Sequence, residues 1–121
     1  ALRLTGQVST KNNGGFIQIR TRVDPTLAVG KSGIRIKVKG NGDVYYLHVR
    51  NASARLPWQY YTASFQTSKK WKEIKISFDE FEKSATLMPR KLKPESIKTI
   101  GIVAYGKDHD ADVSIANLEF Y

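Results

Sequence analysis

Apolar and polar residues alternate with a period of two along most of this chain, and that alternation predicts strands. Ile34, Ile36 and Val38 alternate with Arg35, Lys37 and Lys39. Tyr45, Leu47 and Val49 alternate with Val44, Tyr46, His48 and Arg50. Tyr61, Ala63 and Phe65 alternate with Tyr60, Thr62 and Ser64. Ile74, Ile76 and Phe78 interleave with Lys75 and Ser77. Val113 and Ile115 open a last strand that ends around Leu118 and Phe120. The run from Ile100 to Tyr105 is continuously apolar, which predicts a strand buried on both faces.

Turn chemistry separates these runs. Gly40-Asn41-Gly42-Asp43 predicts a hairpin, because Asn-Gly tolerates positive φ. Asn12-Asn13-Gly14-Gly15 predicts another turn. Pro25 and Gly30 to Gly33 bracket a loop, and Pro57 closes the Asn51 to Leu56 loop. Pro89 and Pro94 break the segment between two strands. Helical signal is confined to one or two short turns, at Asp79 to Glu82 and at Pro94 to Ile97. About seven strands at this spacing predict an all-β jelly-roll sandwich. The 121 residues, 40% of them hydrophobic, fit one domain spanning 1–121.

Composition narrows the chemistry. No apolar run approaches the about 18 residues of a membrane helix, and the start, Ala1 to Gly6, has no apolar core of a signal peptide. Without cysteine there is no disulfide and no thiolate metal site. The net charge of +9 attracts anionic partners, although the cations are spread along the chain. Lys69, Lys70, Lys72 and Lys75 cluster, as do Arg90, Lys91 and Lys93. A solvated basic surface accounts for them as well as a functional patch does.

Two motifs imitate ligand sites. Gly30-Lys31-Ser32 resembles the end of a phosphate loop, but Pro25 stands where its first glycine belongs and a strand follows instead of a helix. Asp108, Asp110, Asp112 and Glu119 have calcium-loop spacing, but Val113 occupies the glycine position and no helices flank it. A different calcium site using Asp108, Asp110 and Asp112 stays open as an alternative to an acidic turn. There is no Gly-x-Ser-x-Gly elbow, and neither His48 nor His109 has the context of a triad. The acidic pairs among Asp79, Glu80 and Glu82 fit a solvated turn better than a glycosidase pair. No enzyme activity and no cofactor are expected. Asn51-Ala52-Ser53 is a glycosylation sequon, meaningful only in a chain secreted by a eukaryotic cell.

The better candidate is a sheet face. If Tyr45, Leu47, Val49, Tyr61, Ala63 and Phe65 point inward, Gln18, Arg20, Arg35, Lys37, Tyr46, His48, Arg50, Trp58, Tyr60 and Thr62 share the other side, provided their strands are neighbours. The expected site is Arg20, Arg35, Tyr46, His48, Arg50, Trp58 and Tyr60. Rings stack on sugars and anchor protein interfaces, and arginines fork onto carboxylates. The same pairs would also serve simply to stabilise the sheet. Trp71 and Phe78 are expected in the core.

Five blocks carry a family resemblance. They are Asn12-Asn13-Gly14-Gly15-Phe16 with Arg20; Lys37 to Gly42 with Tyr45; Tyr61 to Thr67; Trp71 to Phe78 with Phe81; and Ile97 to Ile102 with Ile115 to Leu118. Taken in order from Gly6 to Phe120, they resemble the complex I intermediate-associated protein 30 family. Asn41 stands where Asp is usual, and Ser77 where Pro is usual. The resemblance implies a galactose-binding-domain-like sandwich and a non-enzymatic role. It implies a mitochondrial or other organellar, or bacterial, origin. It places a protein partner first and a carbohydrate second, with nucleic acid disfavoured. The family's usual strand upstream of Gly6 is missing, which implies either an unfilled sheet edge or a trimmed chain.

Overall fold

The computed structural model describes residues 2–8, 17–104 and 109–121, with the backbone alone at 109. The Asn12 to Gly15 turn, Phe16, Tyr105, Asp108 and the His109 side chain lie outside the described residues. Among the described residues nine strands run in chain order: β1 (Leu2–Val8), β2 (Ile17–Arg22), β3 (Gly33–Gly40), β4 (Val44–Asn51), β5 (Tyr61–Gln66), β6 (Lys72–Ser77), β7 (Glu82–Lys83), β8 (Ile97–Ala104) and β9 (His109–Phe120). One antiparallel sheet has the order β1-β9-β3-β6, the other β2-β8-β4-β5-β7. The fold is a jelly-roll β-sandwich.

The alternation read from the chain is what closes the sandwich. Ile34, Ile36 and Val38 from one sheet and Tyr45, Leu47, Val49, Tyr61, Phe65, Ile100 and Ile102 from the other share one core. Each fully buried large apolar side chain contributes about 1.5–3 kcal/mol. β8 is buried on both sides, as its continuous apolar run predicts. Among the described residues, helical structure is limited to 3-10 turns at Pro25–Ala28, Phe78–Glu80 and Pro94–Ser96. Asp24 caps the first, and its side chain accepts from the Thr26 N–H at 3.0 Å. A capping box between Ser77 and Glu80 closes the second.

Two expectations are corrected. The first concerns the Gly40 to Asp43 turn, which is no hairpin. β3 and β4 belong to different sheets, so these residues form the corner by which the chain crosses the sandwich. Gly42 has φ +93°, and a Cβ on Gly40 would stand 2.7 Å from the Thr67 side chain. The second concerns the edge at the chain's start, which is filled. Leu2–Val8 pairs with β9 from Leu2 opposite Ile115 to Val8 opposite His109. β9 bulges where Arg35 and Lys37 pass it, and Asn117 there adopts φ 54°, a conformation Asn tolerates.

The corner is tied to both sheets by one buried phenol. The Tyr45 hydroxyl donates to Asn41 Oδ1 at 2.8 Å and accepts from the Asp112 N–H at 2.9 Å. Burial raises the Tyr45 pKa, so the hydroxyl stays protonated. Tyr45→Phe keeps the ring and strands the buried Asp112 N–H. A loss of about 1–3 kcal/mol is expected by denaturant unfolding, and an unchanged midpoint would show that the bond is dispensable.

Candidate functional site

Register decides which of the expected residues share a face. Gln18, Val103, Tyr46 and Ser64 lie side by side across β2, β8, β4 and β5. Arg20, Gly101, His48, Thr62 and Glu82 form the next row. Arg22, Thr99 and Arg50 form a third. Their neighbours along each strand fill the core, so these rows face outward. Gly101 brings no side chain to the middle row and is buried, with the Gln18 and Arg20 side chains within 4 Å of where its Cβ would stand.

At the centre of the face, His48 and Tyr60 are stacked, with ring centroids 4.0 Å apart and planes 13° apart. Burial pushes the His48 pKa down to about 4. At neutral pH this side chain is therefore a neutral ring. Positive charge comes from the exposed Arg20 and Arg22 on edge strand β2. Trp58 stands at the rim, 62% exposed, in the loop before Tyr60.

Three expected residues take other places. Arg35 lies in the four-stranded sheet, where its guanidinium donates to Glu119 at 2.7 Å. Lys37 is on that sheet too, so neither joins the face. Arg50 is on the face, but its guanidinium serves its own fold. Its Nε donates to the Gln59 carbonyl at 3.2 Å, and NH2 donates to the Ala54 and Leu56 carbonyls at 3.1 and 3.0 Å. Arg50 thus moulds the 52–60 loop instead of offering a fork to a ligand. Trp71 is 44% exposed and not in the core, with Lys39 Nζ 5.7 Å from its ring centroid. Phe78 is buried as expected.

The calcium and sequon readings meet other chemistry. Arg3 donates through Nε and NH2 to both Asp112 carboxylate oxygens, each at 2.8 Å. This guanidinium holds the Asp112 carboxyl below its usual pKa and takes the place of a cation. Asp110 is exposed, and its carbonyl accepts from Asn41. Among the described residues no group of three or more His, Asp or Glu gathers to hold a metal. Asn51 is buried, and its Oδ1 accepts from the Ser53 N–H and hydroxyl, so the sequon is closed to a glycan.

A family model for complex I intermediate-associated protein 30 matches residues 1–115. The chain belongs to this family. No curated protein sequence matches it. Among solved structures it is similar to the family 11 carbohydrate-binding module from Clostridium thermocellum, solved with a β-1,3-1,4-mixed-linked tetrasaccharide. The TM-score is 0.71 at 16% identity, over 98% of this chain and 82% of that one. The family 11 module of a cellulosomal cellulase of the same organism gives 0.70 at 14%, over 98% and 81%. At these identities the likeness is one of fold, and it agrees with a galactose-binding-domain-like jelly roll. Among the described residues no helix is long and apolar enough to cross a membrane.

His48 makes this family member's stability depend on pH. Above pH 6.5 its imidazole is neutral in the folded and unfolded chain alike. Below that, the unfolded chain binds a proton that the folded chain refuses until about pH 4. The His48 contribution is thus whole above 6.5 and declines as pH falls toward 4, by on the order of 2–3 kcal/mol. Unfolding midpoints across that window should fall for the wild type and flatten for His48→Asn. Equal slopes would place the proton uptake elsewhere.

Proposed function

We propose that this chain is a non-enzymatic binding domain that holds a protein partner on the outer face of its five-stranded sheet. The contact residues are Arg20, Tyr46, His48 and Tyr60, with Arg22 beside them and Trp58 at the rim. The observation that carries the reading is the middle row of that face. It sets an exposed arginine on one side of Gly101 and, on the other, His48 as a neutral ring stacked on Tyr60. Arginine and aromatic side chains are what protein interfaces use as anchors. A neutral, stacked histidine is ill-suited to proton transfer at physiological pH, which supports a role in contact instead of catalysis. Family membership supports an assembly role, with respiratory complex I or its precursors as the class of partner.

A second reading is carbohydrate binding on the same face. Stacked rings and a largely exposed tryptophan suit sugar faces, and the two fold relatives are carbohydrate-binding modules.

One pair of experiments separates the two. Arg20→Glu/Arg22→Glu should weaken capture of partner proteins from source-cell extract by about tenfold or more, while Lys37→Glu on the other sheet leaves it intact. An unchanged partner list for the double variant removes this face from the protein reading. Retardation of the wild type in gels containing mixed-linked β-glucan, lost in Trp58→Ala, would establish the carbohydrate reading in its place.

A further inference from the structure

Among the described residues, five of the eight large apolar side chains left exposed lie at one end of the sandwich, with Leu2, Val44 and Trp71 elsewhere. The connections β2–β3, β4–β5 and β6–β8 all emerge there, because antiparallel strands return their loops to the same end. Those loops carry Leu27, Val29, Leu56, Trp58 and Leu87. Leu87 is 94% exposed, yet its neighbours Met88 and Leu92 are buried in the core. The segment has a firm apolar anchor and still turns one leucine outward.

These loops are built to hold their tips in place. The Ser84 hydroxyl donates to the Trp58 carbonyl at 2.7 Å and accepts from the Tyr60 N–H at 2.9 Å, joining the 52–60 and 84–93 loops. The Tyr61 hydroxyl donates to the Pro89 carbonyl at 2.6 Å. Lys83 Nζ donates to the Thr86 and Met88 carbonyls on either side of Leu87, at 2.9 and 3.1 Å. Gln59 Oε1 accepts from the Arg55 and Leu56 N–H groups at 2.9 and 3.0 Å.

Charge follows the same pattern. The 52–60 and 84–93 loops contain Arg55, Arg90, Lys91 and Lys93 and no carboxylate. The acidic residues Asp24, Asp79, Glu80, Glu82 and Glu95 lie in the adjoining stretches, outside these two loops, and the Asp24 and Glu80 carboxylates are engaged as helix-turn caps.

We infer that this end of the sandwich docks on an anionic lipid bilayer, with Leu56 and Leu87 entering the interface and Arg55, Arg90, Lys91 and Lys93 meeting the headgroups. Separate apolar tips interleaved with cations match the layered chemistry of a bilayer surface, where acyl chains lie beneath phosphates. A nucleic acid would use the cations and leave the leucines in water. A protein groove is a weaker match for tips carried on separate loops. The surface is distinct from the sheet face, apart from Trp58 at the rim, so either assignment can fail without the other.

Vesicle co-sedimentation tests it. The wild type should pellet with phosphatidylcholine–phosphatidylglycerol vesicles and not with phosphatidylcholine alone. Arg90→Gln, Lys91→Gln and Lys93→Gln should each weaken the affinity by about fivefold, and Leu87→Ser by about tenfold. Leu87 is 94% exposed, so the serine variant should keep the fold, with circular dichroism as the check. No pelleting of the wild type overturns the proposal. So does undiminished pelleting of Leu87→Ser, because contact would then be by charge alone. Duplex DNA binding that exceeds vesicle binding and ignores Leu87→Ser would assign the cations to nucleic acid instead.

Discussion

The Tyr45 hydroxyl fixes the corner at which the chain passes from β3 in one sheet to β4 in the other. Gly40 to Asp43 carry the chain from one sheet to the other, and nothing in a four-residue turn alone dictates that change. The phenol supplies the constraint. It holds Asn41 in the turn and the Asp112 backbone in β9 at once, from the buried face of β4. Around it, the Gly40 N–H donates to the Ser68 carbonyl at 2.8 Å, and the Thr67 hydroxyl donates to the Asp43 carbonyl at 2.7 Å. A buried polar group held by two partners permits one arrangement, where apolar contacts alone would tolerate several. With the corner set, β4 lies between β8 and β5, and the outward rows through Tyr46, His48 and Arg50 follow from the pleat.

Much of this was legible in the chain because burial is periodic. The core faces of β3, β4 and β5 are the apolar positions of their alternating runs, and β8 is the continuous run. Alternation reports the side of a strand, however, and says nothing of which sheet the strand joins. Arg35 and Tyr46 alternate identically and end on opposite sheets. Asn-Gly chemistry likewise announces a turn without saying whether the strands it links are neighbours. Arg50 was misread for a related reason. Its partners are carbonyls of an irregular loop, and backbone acceptors leave no mark in side-chain identity. Trp71 was misread because indole size suggests burial, while its place beside the exposed lysines leaves much of the ring in solvent.

The basic charge also reads differently once it is distributed over the fold. Arg3 and Arg35 are engaged by Asp112 and Glu119 on the outer side of the four-stranded sheet, where solvent screens both pairs. Arg50 is consumed by its loop. The other cations fall in distinct places. Arg20 and Arg22 line one edge of the five-stranded sheet. Arg55, Arg90, Lys91 and Lys93 sit among exposed apolar tips at the loop end. A net charge describes solubility and attraction at a distance, whereas this partition by topology decides what each cation can touch.

The two surfaces have a geometric relation that either one alone would not reveal. Strands run from the loop end to the opposite end, so a sandwich seated by its loop tips stands with its sheets upright from the bilayer. The outer face of the five-stranded sheet then looks sideways along the membrane, with the Gln18–Val103–Tyr46 row farthest from the lipid and the Arg22–Arg50 row nearest it. A partner held on that face would itself lie at the membrane surface. Arg50 and Ser84 couple the two regions, since both fasten the loop that runs from the tip at Leu56 to the face at Tyr60. The Arg50 side chain, which looked like a ligand contact, is better understood as the brace that fixes the loop between Leu56 and Tyr60.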